Sequence, residues 1–137
     1  MDALPFPGFP TDLQPFASVY ALNCNGRSTI RDNIYTERFT HLYEIRRMGM
    51  LYENMNTQVI INGMQKLAGT SMEGTDIRMA VALVMAALIA EGESKIYGLG
   101  HILRGYDNFV KKLLELGADV AVVGEGEVES SLLKIKM

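Results

Sequence analysis

Residues 75–92, TDIRMAVALVMAALIAEG, form the most apolar stretch of the sequence. Thr75 offers a helix N-cap and Asp76 opens the helix, where the helix dipole favours negative charge. Gly92 then stops it. The apolar run at 79–90 has twelve residues, whereas a membrane-spanning helix needs about twenty. Because nearly every side of this helix is apolar, we expect it to be enclosed by the rest of the fold.

The same plan occurs earlier in the chain. Thr11-Asp12-Leu13 matches Thr75-Asp76-Ile77 at an offset of 64 residues. Gly26 precedes Arg38 by twelve residues, and Gly92 precedes Arg104 by the same distance. Several matches in one order indicate a duplicated helix–strand–helix–strand unit of about 65 residues. The predicted fold class is therefore α/β, with about two repeats at 9–63 and 70–123 and a tail at 124–137.

The elements within these units follow from apolar periodicity and turn residues. The first helix should carry an apolar stripe of Leu13, Phe16, Val19 and Tyr20, and a later helix should point Phe109, Val110, Leu113 and Leu114 inward. We expect helices over 11–26, 39–49, 76–90 and about 104–116, and strands over 28–32, 50–53, 58–61, 94–98, 118–123 and 132–135.

Composition narrows the class of protein. The chain has 137 residues, a net charge of -3 and scattered Lys and Arg, so no basic stripe favours nucleic acid binding. The single cysteine, Cys24, excludes an internal disulfide and fits a reducing cytoplasm. We expect its thiol to be buried and inert. The start of the sequence has no positively charged segment followed by an apolar run, so no secretory signal is expected.

Charged residues stand at the predicted helix boundaries: Asp12 and Asp76 at helix starts, Arg38 and Arg104 just before later helices. One interpretation is that the aspartates cap helices and the arginines pair with carboxylates. The other is that they converge on an anionic ligand, since arginine binds carboxylate or phosphate with a planar fork. Sequence pattern alone leaves both open.

The two histidines do not indicate a metal site, because they are far apart and isolated from other ligand types. His41 is expected to be a structural or helix-surface residue. His101 stands three residues before Arg104, where a loop position near a ligand is possible. No metal or cofactor is expected.

Four segments together resemble one enzyme family. They are FPGFPTDLQ at 6–14, IYTERFTH at 34–41, GTDIR at 74–78 and HILRGY at 101–106. In order and spacing they are similar to the last third of UDP-N-acetylglucosamine 1-carboxyvinyltransferases, and the resemblance extends from Pro5 to Val123.

The resemblance implies an inverse α/β barrel, in which repeated units place helices inside and sheets outside. In this family, phosphoenolpyruvate and UDP-N-acetylglucosamine bind between two domains. The sugar 3-hydroxyl adds to C2 of the enolpyruvyl group, C3 is protonated, and phosphate leaves the tetrahedral intermediate. The resemblance also implies a cytoplasmic enzyme of peptidoglycan synthesis.

The resemblance also implies roles for particular residues. Asp12 matches the proposed base that contacts the sugar hydroxyl, and Arg104 matches an arginine that reaches phosphoenolpyruvate when the cleft closes. Ile34 matches a backbone contact to the nucleotide sugar, Arg38 matches an arginine on the same side, and Asp76 with Arg78 matches a cleft-lining pair.

This chain departs from the family in several ways. The family's catalytic cysteine, a lysine and an arginine belong to the other domain and have no counterpart here. Leu103 replaces an aspartate before Arg104. We therefore expect the chain alone to be inactive, with a missing N-terminal domain or a second copy as its partner. The alternatives are a 3-phosphoshikimate 1-carboxyvinyltransferase-like enzyme and a truncated, non-catalytic binding or assembly module.

Overall fold

A computed structural model describes residues 2–3, 13–32, 39–55, 58–98, 100, 108–123 and 132–136. These residues form two successive units of α/β structure. The first unit comprises β1 (Asp2–Ala3), α1 (Gln14–Leu22), β2 (Arg27–Asp32), α2 (Thr40–Arg46), β3 (Tyr52–Met55) and β4 (Gln58–Asn62). The second comprises β5 (Ser71–Glu73), α3 (Ile77–Ile89), β6 (Glu93–Tyr97), α4 (Phe109–Glu115), β7 (Asp119–Val123) and β8 (Leu132–Lys136).

The two units share one sheet topology. The strand orders are β1-β2-β4-β3 and β5-β6-β8-β7. In each unit the first two strands are parallel and the remaining pairs are antiparallel, with Ile30 opposite Val59 and Ser94 opposite Ile135. The same order and the same strand directions twice over are what a duplication produces. The predicted α/β class and its repetition are confirmed.

Helix α3 is the centre of the fold. It packs against α1 and α2 of the first unit and against β6 and β8 of its own. Leu83, Ala82 and Ala86 have no exposed surface. This enclosure confirms the expectation drawn from the all-round apolar sequence, since a helix apolar on every side is stable only when its whole circumference is covered.

Two predictions about the later helix were wrong. Asn108 adopts a left-handed backbone conformation with φ of 53° and is the N-cap of α4, so no continuous helix runs through this residue to Leu116. Residues 101–107 lie outside the described part of the chain. Leu114 was expected to point inward but is 51% exposed, whereas Leu113 is buried.

Other corrections concern boundaries and stripes. Strand β3 begins at Tyr52 rather than at residue 50. Tyr20, expected on the apolar stripe of α1, is 70% exposed because Val19 and Leu22 face the core instead. By contrast, the strand expected over 132–135 is confirmed: it is β8 (Leu132–Lys136), which lies between β6 and β7. The short strands β1 and β5 were missed.

Specific contacts hold the two units together. Glu44 of α2 accepts a hydrogen bond from the backbone N–H of Glu73 in β5 at 3.0 Å, and it forms an ion pair with Arg47 at 3.4 Å. The backbone N–H of Ala68 donates to the carbonyl of Met48 at 2.9 Å. These contacts fix the start of the second unit against the end of α2.

Among the described residues, no helix is both long enough and apolar enough to cross a membrane.

Candidate functional site

A small hollow of about 50 Å³ lies where the first turns of three helices meet. It is lined by Pro15 of α1, by Thr40 and His41 of α2, and by Asp76, Arg78 and Met79 at the start of α3. The N-terminal end of a helix presents unpaired backbone N–H groups and partial positive charge. The hollow therefore combines an arginine, a carboxylate and an imidazole beside the N-terminal ends of helices.

Asp76 is fixed by its role as the N-cap of α3. Its Oδ1 accepts a hydrogen bond from the backbone N–H of Met79 at 2.9 Å, and its own backbone is extended. The capping residue is thus Asp76, and the expectation that Thr75 caps this helix was wrong. A carboxylate has two oxygens with about four acceptor sites, so capping leaves capacity to accept a ligand hydroxyl.

Two glycines set the position of this helix start. A Cβ on Gly74 would lie 2.6 Å from the Cα of Ala80, and a Cβ on Gly98 would lie 2.1 Å from the carbonyl oxygen of Gly74. Gly98 also has φ of 87°, a backbone conformation that residues with a side chain rarely adopt. The close approach of these backbones brings Asp76 and Arg78 to the end of the sheet formed by β5 and β6.

His41 is a feature of the hollow that the sequence interpretation did not assign to a site. It is 2% exposed, and its ring lies 6.5 Å from the ring of Phe39. A lone histidine in an apolar helical stripe is most often structural, so the pattern gave no reason to select it. His41 lines the hollow only because the start of α2 packs against the start of α3, a tertiary contact that the sequence pattern does not show.

The structure brings together two of the residues selected from sequence, Asp76 and Arg78. Asp12, Ile34, Arg38 and Arg104 lie outside the described residues, as does His101, so their predicted roles stay predictions.

Cys24 belongs to a different region. It follows the end of α1, is half-buried, and its Sγ lies 3.4 Å from the carbonyl oxygen of Tyr20. The thiol is therefore less buried than expected. In the described part of the chain, no group of three or more His, Cys, Asp or Glu side chains is placed to hold a metal ion.

Solved structures define the class of protein. The enolpyruvyl transferase NikO from Streptomyces tendae superposes with a TM-score of 0.77 at 30% identity, over 87% of this chain and 28% of its own. An EPSP synthase from Acinetobacter baumannii superposes with a TM-score of 0.64 at 18% identity, over 92% of this chain, which shows the fold. The architecture is that of the enolpyruvyl transferases.

The family follows from the sequence. The family model described as EPSP synthase (3-phosphoshikimate 1-carboxyvinyltransferase) matches residues 1–113, and the chain belongs to this family. Relatives named UDP-N-acetylglucosamine 1-carboxyvinyltransferase from Fervidobacterium nodosum and Thermotoga maritima are each 43% identical, over 94% and 87% of this chain. The predicted resemblance to that group is confirmed. The chain spans 30% and 28% of those two relatives' lengths.

Proposed function

We propose that this chain is the C-terminal part of an enzyme that transfers enolpyruvate from phosphoenolpyruvate to the 3-hydroxyl of UDP-N-acetylglucosamine. The observation that carries the proposal is the placement of Asp76 and Arg78 in one hollow at the capped start of α3. The names of relatives 43% identical to the chain supply the acceptor, UDP-N-acetylglucosamine, and the carboxyvinyl group, and the family resemblance implies phosphoenolpyruvate as the donor. Such an enzyme would act in the cytoplasm, in peptidoglycan synthesis.

The chemistry of the hollow suits this role. Phosphoenolpyruvate carries a carboxylate and a phosphate, and the guanidinium of Arg78 can bind either with two parallel hydrogen bonds. The Asp76 carboxylate can accept a hydrogen bond from a sugar hydroxyl. Because α3 is enclosed and its first turn is capped, both groups start from a fixed backbone, and little order has to be created when a ligand binds.

We propose that Asp12 and Arg38 also belong to the site. In the sequence each stands two residues before a helix that contributes to the hollow, α1 or α2. We assign Asp12 as the base for the sugar hydroxyl, Arg38 and the backbone of Ile34 to the nucleotide sugar, and Arg104 to phosphoenolpyruvate. Arginine contacts to the departing phosphate can contribute roughly 2–4 kcal/mol, by analogy with an oxyanion donor.

The chain alone should not turn over substrate. One wall of a cleft binds ligands without excluding water or orienting two reactants, and orientation can account for about 7–11 kcal/mol of a barrier. A coupled phosphate-release assay with both substrates should show no rate above the uncatalysed background. Turnover by the isolated chain would contradict this proposal.

Binding should still be measurable and should depend on the hollow. We expect phosphoenolpyruvate and UDP-N-acetylglucosamine to perturb the NMR signals of residues at the starts of α2 and α3, and Arg78→Gln to remove that response. Arg27→Gln is a matched control, because Arg27 is 60% exposed and pairs with Glu53 at 3.2 Å, away from the hollow. Equal responses in both variants would refute the assignment.

The second candidate is a shikimate-type enzyme. The description of the matching family model favours it, because that description names 3-phosphoshikimate. Parallel titrations with UDP-N-acetylglucosamine and with shikimate 3-phosphate separate the candidates. Our proposal expects the nucleotide sugar to bind more tightly. Preference for shikimate 3-phosphate would overturn the substrate assignment while keeping the enolpyruvyl transfer.

The face beside α1 is a candidate interface. In the second unit α3 is covered by helices of the first unit, but Tyr20 on the corresponding helix α1 is 70% exposed. A hollow of about 470 Å³ lies there between α1 and β2, lined in part by Ala17, Cys24 and Arg27. We propose that the rest of a longer protein, or a second copy, covers this face. Light scattering of the isolated chain at high concentration tests self-association, and a clean monomer would exclude the second copy.

A further inference from the structure

The buried histidine of the hollow is not used by the proposed mechanism. His41 is 2% exposed and lines the same hollow as Asp76 and Arg78. Taking a polar ring out of water is costly compared with burying a hydrocarbon ring of similar size. A fold that needed only volume at this position would be served better by an aromatic hydrocarbon.

The second unit has an aromatic hydrocarbon, the phenyl ring of a phenylalanine, at the equivalent position. Helices α2 and α4 are equivalent elements, and each is followed by a glycine with positive φ, Gly49 at 95° and Gly117 at 93°. The helix starts, Thr40 and Phe109, are 69 residues apart. The glycines and the buried residues Ile45 and Leu113 are 68 apart, and this alignment by burial places His41 at the position of Phe109. Phe109 is half-buried and packs against the core. A phenyl ring therefore occupies the aligned position of the second unit, and the imidazole of His41 differs from it by adding polarity.

The surroundings of His41 suit a contact to an anion. Among the described residues, the charged groups lining the hollow are Asp76 and Arg78. Glu44, one turn further along α2, is held by the Glu73 N–H and by Arg47. A volume of about 50 Å³ accommodates a carboxylate or phosphate group but not a nucleotide sugar. One charged end of a ligand can therefore sit beside the imidazole.

We propose that His41 contacts the anionic group bound in this hollow by donating a hydrogen bond from its imidazole, so that its protonated form strengthens binding. The inference rests on the proposed function, because it takes phosphoenolpyruvate as the ligand. Histidine is the side chain whose charge ordinarily changes between pH 5 and 8. Binding of phosphoenolpyruvate to the full chain should therefore tighten as pH falls from 8 to 6.

The test compares wild type, His41→Phe and His41→Gln. If the bound anion moves the titration midpoint of the imidazole by one unit, wild-type affinity changes by up to about tenfold over this range relative to His41→Phe. Taking this ratio cancels the titration of the ligand itself. His41→Gln keeps a neutral donor, so it should bind more tightly than His41→Phe but show the same pH dependence as that variant. Circular dichroism confirms that each variant is folded.

An NMR titration of wild type does not depend on the folding of any variant. Saturating phosphoenolpyruvate should move the titration midpoint of the His41 ring upward, and an unmoved midpoint overturns the inference. Suppose that wild type binds phosphoenolpyruvate and Arg78→Gln does not. If His41→Phe then has the wild-type affinity at both pH values, the inference about His41 fails while the proposed function stands. If wild type shows no binding, or Arg78→Gln binds like wild type, both fail.

Discussion

Replacing Asp76 separates two roles of its carboxylate. Asp76→Ala removes the acceptor that receives the Met79 N–H at 2.9 Å, and loss of an N-cap costs about 1 kcal/mol. For a chain of 137 residues, this corresponds to a fall in Tm of roughly 3–5 °C. Asp76→Asn keeps a capping oxygen and loses only the interaction of the charge with the helix dipole, about 0.3–1 kcal/mol. If the charge binds the ligand, both variants should lose ligand affinity despite their different stabilities.

The assay pairs urea and thermal denaturation, followed by circular dichroism, with titration of UDP-N-acetylglucosamine. Asp119→Asn, on the exposed start of the edge strand β7, is the matched control and should change neither property. Wild-type affinity in a folded Asp76→Asn variant would refute the role of the charge in ligand binding. A wild-type melting curve for Asp76→Ala would show that the cap does not stabilise α3.

Three further substitutions test the fold. Leu83→Ala removes a side chain with no exposed surface and should lower the free energy of unfolding by about 2–5 kcal/mol. The control Leu116→Ala, at an 84% exposed residue, should change this free energy by less than about 0.5 kcal/mol. Equal effects of the two variants in urea denaturation would contradict the enclosure of α3. Gly98→Ala should cost more than about 1–3 kcal/mol in the same assay, because the left-handed backbone adds to the clash with the Gly74 carbonyl; a neutral effect would refute the close approach. Burial raises the pKa of the Tyr52 phenol above its ordinary value of 10.0. As pH rises, the unfolded state therefore loses this proton before the folded state does. The stabilisation present below pH 10 should decline as pH rises through the folded-state pKa. Tyr52→Phe should reduce the slope of stability against pH in alkaline urea titrations, and an unchanged slope would count against this burial.

Features that depend on local pattern were predicted well from the sequence. Helix α3 could be placed because its apolar residues cover every side and Gly92 follows it. The duplication could be read from matching residues at fixed offsets. Both signals are visible in the order of the residues along the chain, so they do not require knowledge of the tertiary contacts.

Features that depend on distant partners were not predicted. Strand β5 has three residues and pairs in parallel with β6, too short a segment to show alternation. Strand β8 itself was predicted over 132–135 and is present at Leu132–Lys136, but its place between β6 and β7 could not be read from the sequence. Helix α4 was predicted to start at about residue 104 but begins at Phe109, because Asn108 has a left-handed backbone conformation. Asn108 is neither proline nor glycine, so the sequence gave no signal of this start.

The candidate site shows the same division. Asp76 and Arg78 could be selected from a sequence motif, and the structure places both in one hollow. His41 could not be selected, because only the packing of α2 against α3 brings it to that hollow. A single histidine in a helical stripe carries no pattern of its own.

The central claim is that the hollow at the start of α3 is part of an enolpyruvyl transfer site. It is tested most directly by kcat/KM of a chimera in which this chain replaces the matching segment of the Thermotoga maritima relative. We expect turnover with phosphoenolpyruvate and UDP-N-acetylglucosamine, and a loss of about a hundredfold or more on Arg78→Gln with little change on Asp119→Asn, at the exposed start of β7. A folded chimera without turnover, or one that Arg78→Gln leaves fully active, would contradict the account.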